Sequence, residues 1–207
     1  MTEDRPVCIT KRPVVAVATM LVISLAAVAD NEDPAARGAN LLQPFKQDLK
    51  QALITGLQQG PDAAISVCKF EAPAIAAQLS TGGVTMGRTS HRLRNPANAG
   101  PTWAEAVLKD YLEADADIGP QVRRLDDGRT GYVEPIRMQP MCLTCHGSAV
   151  TPELTARINR EYPEDQATGF EAGDLRGVFW VAFVEDAGEE PSRQQGAHHR
   201  QSRHHQD

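Results

Sequence analysis

Five consecutive residues, Cys142-Leu143-Thr144-Cys145-His146, constrain this chain more than any other stretch. Cys-x-x-Cys-His is the attachment pattern of c-type haem. Two thiols at that spacing reach one edge of a porphyrin as thioethers. The histidine that follows is placed beneath the ring, where an imidazole nitrogen ligates iron. A chain with this motif has to fold around a large, flat, mostly apolar group. Two other chemistries use paired cysteines. A structural zinc site would most simply need a second close ligand pair, which the chain lacks. A thioredoxin-like dithiol belongs in a βαβ context, which is not the pattern around residue 142. One covalent haem c is therefore expected, with Cys142 and Cys145 as thioether donors and His146 as an axial iron ligand.

The ends of the chain point to export. Lys11 and Arg12 precede an apolar run from Val14 to Ala29 that closes on Ala27-Val28-Ala29, the layout of a secretory signal peptide. The run is short of the ~20 apolar residues of a spanning helix, and the chain would meet the membrane only if the peptide stayed uncleaved. Bacterial c-type haem is attached outside the cytoplasm, so a periplasmic location fits the motif. Residues 1–29 are read as signal peptide and 30–186 as the haem domain. Residues 187–207, with His198, His199, His204 and His205 and no large apolar anchor, are read as a disordered His-rich tail. A formal net charge of −6 argues against nucleic acid as a partner.

Within the domain, Leu42, Phe45, Leu49, Leu53 and Leu57 recur at helical steps up to Gly60-Pro61. A second helix carries Ile65, Cys68, Ala72, Ile75 and Leu79 on one stripe, and Pro73, which lacks an N–H for the Lys69 carbonyl, predicts a kink. Residues 84–89 read as a short strand. Thr102-Trp103-Ala104-Glu105 has the pattern of a capping box, with Trp103, Val107 and Tyr111 on the inner face of the helix. Asp126-Asp127-Gly128-Arg129 between apolar runs marks a hairpin, a helix opens at Thr151-Pro152, and residues 173–184 form a last strand apolar on both faces, hence central. Helices first and strands later give α+β with an antiparallel sheet.

Past the signal peptide three cysteines remain, and Cys68 is the one the haem motif does not use. It is either a small buried hydrophobe or the iron ligand opposite His146, since thiolate is an established haem ligand. Met86, Met138, Met141 and His91 compete for the same role. Arg88, Arg92, Arg94 and Arg137 form a basic set in an acidic domain. Arg88 and Arg137 are the candidates for contact with haem propionates, through bidentate pairing.

The stretches Ala64-Ile65-Ser66-Val67-Cys68 with Ala72-Pro73-Ala74-Ile75-Ala76, Gly87-Arg88-Thr89-Ser90, Arg94-Asn95-Pro96-Ala97-Asn98, Trp103 with Glu105, Pro135-Ile136-Arg137, and Gly173-Asp174-Leu175-Arg176-Gly177 belong together. As a set they resemble the PAS-like, single-haem c-type domain family of exported bacterial proteins. The resemblance covers about residues 38–184. It implies a PAS-like antiparallel sheet with flanking helices, and His/Cys axial ligation by His146 and Cys68. Phe179 and Trp180 depart from the smaller residues typical of the family. The expected function is an exported mono-haem redox or small-ligand sensor, which needs a signalling or redox partner and takes a small gaseous ligand. The alternative is a periplasmic electron-transfer cytochrome c. Peroxidase-like catalysis is the least supported reading, because no distal acid–base pair is evident.

Overall fold

The structure, a computed structural model, describes residues 32–114 and 118–185. The apolar run at 14–29, Cys8 and the His-rich tail at 187–207 lie outside the described residues. Helix α1 (Pro34–Gln59) opens with Pro34 in its first turn and the Asp33 carboxylate accepting from the Ala35 amide at 3.1 Å. It starts a full two turns before the stripe that announces it in the sequence. Gly60, at φ 113°, breaks it, and α2 (Pro61–Ser66) begins at once.

The kink expected at Pro73 takes the form of a π-helical turn, Val67–Glu71, between α2 and α3 (Ala72–Leu79). The Ala72 amide donates to the Val67 carbonyl, five residues back. The next residue, Pro73, has no amide to restore the α pattern. Cys68 is the second residue of this widened turn.

Strand β1 (Thr85–Thr89) follows, and then α4 (Thr102–Glu113). The capping box is not formed. Pro101 is the cap residue and no side chain bonds the first turn, because Thr102 is already helical and sits one position too late to serve as N-cap. Strands β2 (Gln121–Arg124) and β3 (Thr130–Arg137) make the expected hairpin, closed by the Leu125 amide donating to the Arg129 carbonyl at 2.9 Å. The motif forms a single turn, α5 (Leu143–His146). Helix α6 (Pro152–Glu161) is capped by the Thr151 hydroxyl, and β4 (Leu175–Phe183) ends the domain.

The sheet is antiparallel throughout, in the order β1-β4-β3-β2. The last strand is central, which is why it is apolar on both faces. Alternation along the strands sorts the two layers. Met86, Tyr132, Val181 and Phe183 meet Leu42, Phe45 and Leu49 of α1. Val133, Val178 and Trp180 meet Val107, Leu108 and Tyr111 of α4 on the other side. Gly38 lets α1 lie close on the sheet, for a Cβ there would stand 2.3 Å from the Cγ of Tyr132.

The layer between α1 and the sheet is filled at one end only. Two residues along each strand, Met86 gives way to Arg88 and Val181 to Phe179; on β3, Tyr132 gives way to Glu134 and then Ile136. On α1, Leu49 gives way to Leu53 and Leu57. Arg88, Phe179, Ile136, Leu53 and Leu57 line a cavity instead of a core.

Candidate cofactor cavity

The cavity measures about 640 Å³, within the ~300–1,000 Å³ of cofactor and ligand clefts. Every residue assigned to the site from sequence lies on its wall: Cys68, Arg88, Arg137, Cys142, Cys145 and His146. The wall is largely apolar and carries the basic side chains Arg88, Arg94, Arg137 and Arg176, with Lys46 and Lys50 of α1. Among the described residues no three His, Cys, Asp or Glu side chains are close enough to hold a bare metal ion.

His146 is held by its outer nitrogen. Its Nδ1 lies 2.7 Å from the Ala167 carbonyl oxygen. A carbonyl can only accept, so Nδ1 carries the proton and Nε2 keeps its lone pair for a metal. Burial, with the guanidinium groups of Arg94 and Arg176 nearby, pushes the imidazole pKa down to about 2. The ring is therefore neutral at physiological pH, the state that ligates iron.

The carbonyl that fixes His146 is itself fixed. Asp165 accepts from the Ala167 amide at 2.8 Å and pairs with Arg94 through both oxygens, each at 3.1 Å. The pair is deeply buried, 9% exposed at Arg94 and 2% at Asp165. Arg94 also donates to the carbonyls of Cys145 and Ala167. The Phe170 amide donates to the His146 carbonyl at 3.0 Å, and the Gly169 amide to Gly147 at 3.0 Å. The segment 165–170 is thus bound to the motif along its length.

Among the thiols, burial pushes the Cys145 pKa up. Cys145 packs with Ile65, Leu154, Ile158 and Tyr162, which ties α5 to α2 and α6. Cys68 is half-buried at the cavity wall, and its carbonyl accepts from Arg88 at 3.4 Å.

The rival ligands are placed less well. Met86 is in the core against α1, off the cavity wall. His91 is exposed; its ring contacts Phe170 edge-on, as His146 does, and it is not on the wall either. Met138 lines the cavity but packs with Ala167 and Phe170, the residues that hold His146. Met141 also lines the cavity, but it is an exposed neighbour of the motif.

Sequence reasoning missed Asp165, which sits in an unremarkable polar loop, and gave Arg176 no role although it falls in the Gly-Asp-Leu-Arg-Gly stretch. Arg176 lines the cavity, donates to Ser90 Oγ at 2.5 Å and to the Arg92 carbonyl at 3.2 Å. Gly177 makes this approach feasible: a Cβ there would meet the Thr89 carbonyl at 2.1 Å.

Fold and site define an α+β domain whose antiparallel sheet and long N-terminal helix enclose a cavity lined by thiols and one oriented imidazole. The chain belongs to the Tll0287-like family, whose model matches residues 11–183. Among solved structures it is similar to the crystal structure of the cyanobacterial heme-protein Tll0287, at 23% identity and a TM-score of 0.54, over 69% of this chain and 91% of that one. That likeness bears out the α+β, antiparallel-sheet fold. No curated protein matches the chain.

Proposed function

We propose that this protein is an exported mono-haem c-type haem protein that senses redox state or a small ligand. Cys142 and Cys145 attach the haem, and His146 and Cys68 are its axial iron ligands. The observation that carries this reading is the meeting of all four side chains on one cavity wall, with the His146 Nδ1 already committed to the Ala167 carbonyl. Residues 142 and 68 come from distant parts of the chain, so their convergence is independent of the motif. The structural relative Tll0287 is a heme-protein, which supports the same cofactor. Haem supplies one-electron chemistry and an iron that binds diatomic gases.

The residues favour sensing over simple electron carriage. A thiolate at Cys68 would stabilise ferric iron, and a Cys68 thiol protonated from solvent on reduction would be free to leave. Cys68 sits in a π turn, a form of helix concentrated at functional sites. Such a domain signals through a redox or signalling partner, from the periplasm.

Protein matured with haem-c attachment machinery tests the reading. A covalent haem that resists acid–organic extraction is expected, with ferrous protein that binds CO. Ferrous iron that stays six-coordinate and never binds CO would identify a periplasmic electron carrier instead. Absence of covalent haem would overturn the reading.

A further inference from the structure

The cavity wall carries an excess of positive charge, buried at Arg94 and part-buried at Arg88 and Arg176. Arg88, Arg94 and Arg176 all line it and act on one another and on His146. Of these three arginines only Arg94 has, among the described residues, a carboxylate at ion-pair distance, that of Asp165. Arg88 donates to a single carbonyl, that of Cys68, and Arg176 to Ser90 Oγ and the Arg92 carbonyl, all neutral acceptors. A guanidinium has five N–H donors, so both groups keep donors to spare. Leaving such charges without counter-charge at a largely apolar wall is costly. The cost is visible in Arg176, where burial, with Arg88 and Arg94 close by, lowers the pKa to about 10.

Arg137 is differently placed. It follows the register shift of β3 at Ile136/Arg137, and although it also lines the cavity its charge is felt at the Tyr111 hydroxyl of α4. The pair that faces the cavity charge is Arg88 with Arg176.

We propose that Arg88 and Arg176 form a carboxylate-binding site in the cavity wall, for a ligand with an apolar body and a carboxylate end. The forked guanidinium matches a carboxylate in two parallel hydrogen bonds, and the apolar remainder of the wall, with Leu53, Leu57, Ile136 and Phe179, takes the body. The site rests on the haem reading for one of its two sources of ligand, the porphyrin propionates. The other source is a free organic carboxylate.

Matured protein, Arg176→Gln, Arg88→Gln and Arg176→Lys are compared in two measurements. The first is the midpoint potential against pH. A propionate held by guanidinium stays ionised above about pH 4, so the wild-type potential there follows pH only through the proton that Cys68 takes up on reduction. In either glutamine variant the carboxyl titrates in the ordinary range, reduction takes up a further proton, and the potential falls more steeply than in wild type between about pH 4 and 6. Arg176→Lys keeps the charge and restores the wild-type profile.

The second measurement is titration with acetate, read by haem absorbance and by fluorescence of Trp103 and Trp180. A saturable response in wild type, lost in both glutamine variants, assigns the site to a free carboxylate. Arg88→Gln removes only one backbone contact, so it tests the site even if Arg176→Gln does not fold. Unchanged potential profiles together with no saturable acetate response overturn the proposal. Protein that matures without haem overturns the haem reading alone, and the acetate arm by fluorescence then decides the arginine site by itself.

Discussion

The Nδ1 of His146 donates to the carbonyl oxygen of Ala167 at 2.7 Å, across twenty-one residues of chain. That contact turns a motif into a site. A histidine in a one-turn helix with half-exposed neighbours could take several rotamers. Here the carbonyl chooses the tautomer and the direction of Nε2, and the buried Arg94–Asp165 pair holds the carbonyl in place.

Arg94→Leu leaves the Asp165 carboxylate buried and unpaired. A loss of about 3–5 kcal/mol of stability is expected from breaking a buried pair on one side, read as a lowered denaturant midpoint. A loss of well under ~1 kcal/mol, the range of exposed pairs, would show that water reaches the pair and that it does not organise the segment 165–170.

Gly38→Ala tests how α1 lies on the sheet. Alanine is the better helix former by ~1 kcal/mol, yet its Cβ would run into the Tyr132 ring. That ring is buried, and its hydroxyl donates to Glu134, which pairs with Lys46 of α1. The ring cannot step aside, so a net loss of about 1–3 kcal/mol is expected, measured by urea unfolding. A stabilised variant would mean that α1 and the sheet are further apart.

Much of this architecture was legible in the sequence, and the part that was not has a physical reason. The period of Leu42 to Leu57 gave a helix and its inner face, Asp127-Gly128 gave the hairpin, and the apolar run at 178–183 gave a central strand. Periodicity cannot tell a core from a cavity, so Leu53 and Leu57 looked no different from Leu42. Pro73 announced a break, but its form as a π turn carrying Cys68 depends on how α2 packs. Arg94 and Asp165 lie seventy-one residues apart, and neither carries a local signal of the other.

Pro73→Ala supplies the amide that can reach the Lys69 carbonyl and favours regular α geometry over the π turn. Cys68 would then be rotated on the helix. The expected outcome is a helix at least as stable by circular dichroism and a ferric optical spectrum with weaker thiolate character. An unaltered spectrum would show that the turn does not set the position of Cys68.

His91 gives a pH test away from the ligands. Loss of water around its ring, and then the charges of Arg92 and Arg176, lower its pKa from the ordinary 6.5, while Asp174 acts in the opposite sense. The unfolded chain therefore binds the proton first. Stability from this group is complete above about pH 6.5 and is lost as pH falls from there through the folded value. His91→Gln is expected to flatten the pH dependence of the thermal midpoint in that window; an equally steep dependence would place the titrating group elsewhere.

Ligation by Cys68 is the central claim, and ferric optical and EPR spectra of haem-matured wild type beside Cys68→Ser test it most directly. The expected result is a low-spin, thiolate-type ferric spectrum in wild type that is lost on substitution, with covalent haem content unchanged. Identical ferric spectra of the two proteins would contradict the claim and leave the iron face opposite His146 to another group.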